Sequence, residues 1–192
     1  MTSLAASRQR LVLADLVPGA WARDAVLVAA GAGLTGIAAQ VSIHTSLSPV
    51  PFTLQTLAVL VTGAALGSVR GLLSIALYVA AGSAGVPWFS NHSHGFSGPS
   101  SGYLIGFVIA AGVVGELARR GNDRNVLRTA VLMIIGNLII YVPGVAWLMH
   151  EVPSYSFGQA IHSGVTVFLI SDLAKLVVAA LVLPAAWKLA RR

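Results

Sequence analysis

Long apolar runs separated by short polar segments constrain this chain more than any other feature. Six such runs occur, at 24–43, 53–68, 71–86, 102–118, 129–148 and 163–187. A helix that crosses a bilayer needs roughly 20 mostly apolar residues, so 192 residues leave room for little else. With 56% hydrophobic and 9% charged residues, the composition excludes an ordinary soluble domain. We therefore expect an all-α bundle of six transmembrane helices, with residues 1–192 forming one membrane domain.

The basic residues predict how this bundle is oriented. Of the 12 lysines and arginines, 11 lie outside the apolar runs, and with six spans all of them fall on one side of the membrane. Cytoplasmic loops carry the excess of lysine and arginine, so both termini are expected in the cytoplasm, after a short lead-in that is not a cleaved signal. These residues are Arg8, Arg10, Arg23, Arg70, Arg119, Arg120, Arg124, Arg128, Lys188, Arg191 and Arg192.

Arg70 also predicts the connection between the second and third helices. An arginine at the centre of a bilayer is costly, so we expect a tight polar turn at this residue. The three connections on the opposite side, at 44–51, 87–102 and 150–163, contain no lysine or arginine. Their Gly, Pro, Ser, Asn and His residues favour irregular backbone that covers a cavity.

The absence of common catalytic and phosphate-binding motifs disfavours several classes of function. The sequence has no cysteine, and so offers no thiol nucleophile. It contains neither a Gly-x-x-x-x-Gly-Lys-[Ser/Thr] phosphate loop nor a His-Glu-x-x-His motif, and no enzyme is expected. His92 and His94 are spaced as metal ligands can be, but no carboxylate or cysteine lies beside them, so no metal site is expected. The net charge of +6 reflects orientation in the bilayer and not nucleic acid binding.

Asp172 and Lys175 are unusual because both lie within the apolar run 163–187. Residues three apart share a helix face, and each charge at mid-helix costs roughly 3 kcal/mol in a bilayer, so both are expected to face the bundle interior. A structural ion pair, a proton or ion pathway in which Asp172 titrates, and a polar substrate pocket all remain open. A carboxylate accepts from N–H groups and an ammonium donates to oxygens, which suits a small ligand that carries both.

The connections away from the arginines supply further binding candidates. Gln55 lies at the start of the second helix, where its amide would reach the outward end of a cavity. Trp88, Asn91 and Tyr103 lie in or beside the loop at 87–102 and offer ring walls and an amide to a small molecule. The alternative for the aromatic residues is an ordinary interfacial belt.

Two helices carry small residues at four-residue spacing, which allows another helix to approach closely. For the stripe on the first helix, the neighbour is either within this chain or in a partner. For the stripe on the fourth helix, internal packing is expected. The stripes are Ala25, Ala29 and Gly33 on the first helix, and Gly102, Gly106 and Ala110 on the fourth.

Four segments of the sequence resemble the BioY family, the biotin-binding S components of energy-coupling factor (ECF) transporters. They are "PVPFTLQTLAVLVTGAALG" at 49–67, "LYVAAGSAGVPWF" at 77–89, "GPSSGYLIGF" at 98–107 and "DLAK" at 172–175. The resemblance implies a multi-pass protein of the cytoplasmic membrane that captures biotin from outside with high affinity. It also implies partnership with a transmembrane T component and two ATPase subunits, which alone use ATP, so that this chain needs no cofactor. Self-association and uptake of another small vitamin or a metal remain alternatives.

The resemblance also implies roles for single residues. Asp172 would accept hydrogen bonds from the ureido N–H groups of biotin, and Lys175 would contact a ligand oxygen. Trp88 or Tyr103 would form a wall beside the thioether ring and the aliphatic tail.

Two further roles follow from the same resemblance. Asn91 is expected to be the loop asparagine of the family. Because the loop "SNHSHGFSG" departs from the usual glycine-rich pattern, Ser93 or His94 is an alternative. The stripe of Ala25, Ala29 and Gly33 resembles the patch by which S components dock on the T component.

Overall fold

The computed structural model describes residues 11–19 and 21–190 and consists mainly of α-helices. The predicted cytoplasmic residues Arg8, Arg10, Arg191 and Arg192 lie outside the described residues, as does most of the predicted lead-in. Short 3-10 turns occur at Leu13–Leu16, Ser90–His92 and Thr166–Phe168. The longer elements in the described ranges are α1 (Trp21–Gln40), β1 (Ser42–Thr45), β2 (Ser48–Thr53), α2 (Gln55–Leu66), α3 (Ser68–Ser83), α4 (Ser101–Arg119), α5 (Val126–Glu151), α6 (Phe157–Gly164) and α7 (Leu169–Ala190).

Each of the six apolar runs contains a helix, but the helices differ in length. Within the described residues, four segments are long and apolar enough to cross a membrane: α1, α4, α5, and the stretch Phe157–Ala190 that contains α6 and α7. Helices α2 and α3 are shorter, with 12 and 16 residues. The chain is therefore a multi-helix membrane bundle.

A small β-hairpin interrupts the predicted all-α pattern. The first helix was expected to continue to residue 43, but α1 ends at Gln40, and β1 pairs with β2 in antiparallel register, with Ser42 opposite Thr53 and Ile43 opposite Phe52. Both strands are at a sheet edge, where proline is tolerated, so Pro49 and Pro51 do not prevent the pairing. The apolar run did not reveal the end of the helix because the β-branched residues that follow it are compatible with either structure.

The turn between α2 and α3 is shorter than predicted. Gly67 alone connects the two helices, with a φ of +86° that favours glycine. Arg70 was expected in this turn but lies in the first turn of α3. Its guanidinium forms ion pairs with Asp15 at 2.7 Å and Asp24 at 3.1 Å, and these contacts stabilise an arginine within a helix.

Glycines allow the central helices to approach one another closely. A Cβ atom on Gly102 would lie 2.3 Å from the Pro143 carbonyl oxygen, and one on Gly106 would lie 2.7 Å from the Ile140 Cα atom. Ala110 is fully buried. The prediction that this stripe packs internally is confirmed, and α4 and α5 form the central helix pair.

The described basic residues of the connections lie at one end of the bundle, which we call the basic end. They are Arg23, Arg70, Arg119, Arg120, Arg124, Arg128 and Lys188. The ion pairs of Arg70 join α3 to the start of α1. Trp187 of α7 donates from Nε1 to Asp123 at 2.5 Å, and the Arg124 guanidinium lies 4.6 Å from the centre of the Trp187 ring system. Burial raises the pKa of the Asp123 carboxyl.

The last apolar run is broken near its beginning. A continuous helix was expected over 163–187, but α6 ends at Gly164, Val165 is non-helical, and a 3-10 turn precedes α7. The Gly164 carbonyl accepts a hydrogen bond from the Tyr103 hydroxyl at 2.8 Å. As a consequence, Asp172 lies in the first turn of α7 and not at mid-helix as the sequence suggested.

Candidate functional site

A cavity of about 380 Å³ opens at the end of the bundle opposite the basic end. This volume is within the range of small-molecule sites, roughly 300–1,000 Å³. The hairpin, the 3-10 turn Ser90–His92 and the loop before α4 surround its mouth, while α2, α4, α5 and α7 supply its deeper wall. The cavity is therefore built where two of the three connections without lysine or arginine, 44–51 and 87–102, meet the helices.

A network of four polar side chains forms part of the deeper wall. The Lys175 ammonium donates to Asp172 Oδ1 and to Thr56 Oγ1, each at 2.9 Å. The Tyr141 hydroxyl donates to Asp172 Oδ2. The side chains of Lys175 and Asp172 are only 12% and 8% exposed, so both charges are removed from lipid and compensated by specific partners.

The local structure of α7 explains how these two charges come together. Their spacing of three places them on one helix face, as the sequence predicted, and the ion pair is formed. The break at Val165 brings Asp172 into the first turn of α7. A negative charge is favoured there by the unpaired N–H groups and the helix dipole.

Gln55 and Tyr103 both line the cavity, and both already have partners within the protein. Gln55 Nε2 donates to the Tyr78 hydroxyl at 2.7 Å, and Gln55 Oε1 accepts from Thr53 at 3.1 Å. The Tyr103 hydroxyl is used by Gly164, so this residue presents mainly its ring to the cavity. The Gln55 amide keeps one N–H available to a ligand.

The loop that follows α3 contributes Asn91 but not Trp88. Asn91 lines the cavity and has a φ of +57°, a conformation that asparagine adopts more readily than most residues. The structure does not place Trp88 on the cavity wall: its indole packs against the Tyr78 ring and donates to the Tyr78 carbonyl at 2.9 Å. The adjacent Phe89 reaches the cavity instead.

Gln40 at the end of α1 holds this loop in place. Its Nε2 donates to the carbonyls of Trp88 and Phe89 at 3.0 and 3.1 Å, and its Oε1 accepts from the backbone N–H of His92 at 3.2 Å. A single amide therefore fixes the loop beside the cavity. The alternatives to Asn91, Ser93 and His94, also line the cavity.

Sequence reasoning missed the apolar and supporting residues of the site. Phe107 and Phe168 line the cavity, and the Phe168 ring packs at a tilt against that of Phe52, with 4.5 Å between ring centres. Thr56 and Tyr141 were missed as well. Hydroxyl side chains are common in membrane helices, and only their proximity to Asp172 and Lys175 distinguishes these two. No group of three or more side chains suited to a metal occurs in the described part of the chain.

The small stripe on α1 faces outward. Ala25 and Ala29 are exposed, and a Cβ atom on Gly33 would have no heavy atom of the described residues within 4 Å. Gly31 and Gly36 lie on the inner face, against α2, α3 and the Trp88 ring. The stripe is therefore available to another molecule.

Comparison with known proteins is consistent across sequence and structure. A model of the BioY family matches residues 6–192. The "Probable biotin transporter BioY" of Pyrococcus horikoshii is 36% identical over 164 residues, which cover 84% of this chain and 94% of that protein. The "Biotin transporter BioY" of Thermotoga maritima is 39% identical over 143 residues, covering 73% and 82%.

A solved structure resembles the fold over most of its length. It is the crystal structure of the S-component for biotin from an ECF-type ABC transporter, with a TM-score of 0.78 and 20% sequence identity, covering 87% of this chain and 92% of that chain. At this identity the likeness establishes the fold and nothing finer.

Proposed function

The chain belongs to the BioY family, and from this premise we propose that it captures biotin for uptake, as the S component of an ECF-type transporter. The observation that carries the proposal is the buried Asp172–Lys175 pair in the deeper wall of a cavity of ligand size. Charges that served only to join helices would need no such cavity beside them. The role is transport, and it requires no chemical reaction at the site.

The polar network suits the ureido group of biotin. Each Asp172 oxygen already accepts one hydrogen bond, from Lys175 or Tyr141, and a carboxylate oxygen accepts about two. Both oxygens therefore keep capacity for the ligand's N–H groups. Lys175 and Asn91 have N–H donors for a ligand oxygen, and the ring of Tyr103 with its phenylalanine neighbours covers the thioether ring and tail.

We propose six transmembrane passes in the cytoplasmic membrane, with both termini in the cytoplasm. Helices α2 and α3 are shorter than a full span needs. Gln55, at the first residue of α2, lies at the cavity. Because α2 begins at the cavity, we infer that the hairpin before it spans the rest of the second pass on the outer side. The basic end then faces the cytoplasm.

Energy for transport is proposed to come from partner proteins. The sequence has no phosphate loop, so ATP would be used by two ATPase subunits joined through a T component. The outward stripe of Ala25, Ala29 and Gly33 offers that component a smooth helix face. No cofactor is required in this chain.

Calorimetry of the purified protein in detergent tests the proposed function. Biotin should bind saturably at one site, while thiamine and riboflavin, which lack the imidazolidinone ring and the acid tail of biotin, should produce no binding heat. If biotin gives no saturable binding, or if another vitamin binds more tightly, the proposal is wrong.

A further inference from the structure

Beneath the cavity lies a second, much smaller pocket of about 10 Å³, between α2, α5 and α7. Thr56 and Lys175 line both spaces and so form the partition between them. The polar side chain that only the smaller pocket contains is Asn137; the rest of its lining is Leu57, Leu60, Met133 and Leu176. The Asn137 amide lies within an apolar helix and faces the side of Lys175 that points away from the cavity. It has no part in the function described so far.

Two polar groups beside this partition have hydrogen-bonding capacity that the described residues do not use. An ammonium has three N–H donors, and Lys175 uses one for Asp172 and one for Thr56. Asn137 Oδ1 is buried and has no hydrogen-bond partner among the described residues. A buried carbonyl oxygen without a partner is unfavourable by roughly 1–3 kcal/mol, and the donor that would satisfy it is on the other side of the small pocket.

The size of the pocket decides what joins these groups. A space of roughly 10–15 Å³ holds one water molecule and nothing larger. A water there would accept from Lys175 Nζ and donate to Asn137 Oδ1, which satisfies the direction of each hydrogen bond. A cation is excluded because it would lie beside the ammonium.

We propose that this pocket is a water site through which Asn137 positions Lys175 for the ligand. Thr56 and the water then accept from two of the three N–H groups of the ammonium, and the third turns from Asp172 to a ligand oxygen when the ligand's own N–H groups bind the carboxylate. Without them, Lys175 would follow Asp172 alone and its orientation toward a ligand oxygen would be lost. Asn137 is thus a positioning residue, and this inference rests on the proposed function.

Two nearly isosteric variants test the inference by biotin calorimetry. Asn137→Leu removes the acceptor and should weaken biotin binding about 10-fold, as loss of a hydrogen bond to a charged group does. Asn137→Asp keeps the acceptor and should bind within about twofold of the wild type. A packing role would not produce this order, because the buried carboxylate would then be the more harmful change.

Thr62→Val is the matched control. Thr62 Oγ1 is also buried without a partner among the described residues, but it lines neither space, so its loss should leave the affinity unchanged. Equal affinities of Asn137→Leu and the wild type would overturn the inference while leaving the proposed function intact. Absence of biotin binding by the wild type would overturn both.

A high-resolution density map of the biotin-free protein supplies a second readout that does not depend on ligand binding. It should contain one water within hydrogen-bond distance of both Lys175 Nζ and Asn137 Oδ1. A well-ordered map without this water would contradict the inference.

Discussion

At the scale of single residues, hydrogen bonds within the protein already orient the charged side chains of the site. Asp172 accepts from Lys175 and Tyr141, and Lys175 has a second acceptor in Thr56. A carboxylate supported on both oxygens does not need to reorient when a ligand arrives. Preorganisation of this kind reduces the entropy lost on binding, which suits capture of a scarce molecule.

Asp172→Asn should weaken biotin binding by about 100-fold or more. The change leaves the buried Lys175 ammonium without its counter-charge, a loss of roughly 3 kcal/mol or more, and directs amide N–H groups toward the ligand's own N–H groups. Calorimetry in detergent measures the effect. Glu116→Gln is the matched control, because Glu116 pairs with Arg119 and Arg120 at the exposed basic end and should not alter the affinity. Normal binding by Asp172→Asn would show that the Asp172 carboxylate does not bind biotin.

Tyr141→Phe should weaken biotin binding by about 10-fold or more. It removes the hydroxyl that orients Asp172 but keeps the ring, and a hydrogen bond to a charged group contributes roughly 1.5–3 kcal/mol. The same calorimetric titration applies. Tyr155 is not among the residues that line the cavity, so the control Tyr155→Phe should bind like the wild type. An unchanged affinity for both variants would show that Tyr141 does not support the carboxylate.

The charged residues of the site could be predicted from the sequence, whereas their neutral partners could not. Asp172 and Lys175 stand out because a charge within an apolar run is costly unless it is compensated. Thr56 and Tyr141 carry no such signal, since a hydroxyl is tolerated on many faces of a membrane helix. Trp88 and Phe89 are adjacent, and only the path of the loop determines that Phe89 lines the cavity.

At the scale of elements, apolar runs predicted where helices occur but not where they end. Helix α1 stops at Gln40 because the next residues pair in the hairpin, and the final run breaks at Gly164, close to Tyr103. The first boundary depends on pairing with the strand that follows, and the second lies at a contact with a residue distant in sequence. The spacing of small residues on α4 was more informative, since contact with α5 needs a continuous smooth face.

Gly115→Ala should destabilise the bundle at the contact between α4 and the α2–α3 turn. A Cβ atom there would lie 2.4 Å from the Gly67 carbonyl carbon and 2.5 Å from the Ser68 nitrogen, and backbone cannot yield as a flexible side chain does. We expect a loss of about 1–3 kcal/mol and a melting temperature lower by about 5 °C, measured by thermal unfolding in detergent.

Gly33→Ala is the matched control for this change. It is also a glycine-to-alanine substitution within a helix, but no heavy atom of the described residues lies within 4 Å of the added Cβ. Its melting temperature should equal that of the wild type or exceed it slightly, because alanine favours a helix. Equal melting temperatures for the two variants would contradict the close contact at Gly115.

At the scale of the whole molecule, the absence of cysteine makes the proposed topology directly measurable. Single cysteines replace Ser154, between α5 and α6, and the exposed Val69 and Arg120 at the basic end. A membrane-impermeant maleimide added to intact cells should label only Ser154→Cys, and the other two should react after permeabilisation. Labelling of Val69→Cys from outside would show that α2 and α3 do not complete two passes.

The outward face of α1 should be needed for uptake but not for biotin binding. Ala29→Trp places a large ring on the smooth stripe, which should prevent close approach of the T component. In cells that supply the partner subunits, uptake of labelled biotin should fall at least about 10-fold, while the purified variant should bind biotin with unchanged affinity. Leu34→Trp is the control, because Leu34 is exposed on a different face of α1. Equal uptake by both variants would mean that partners dock elsewhere, and loss of biotin binding by Ala29→Trp would mean that α1 supports the cavity.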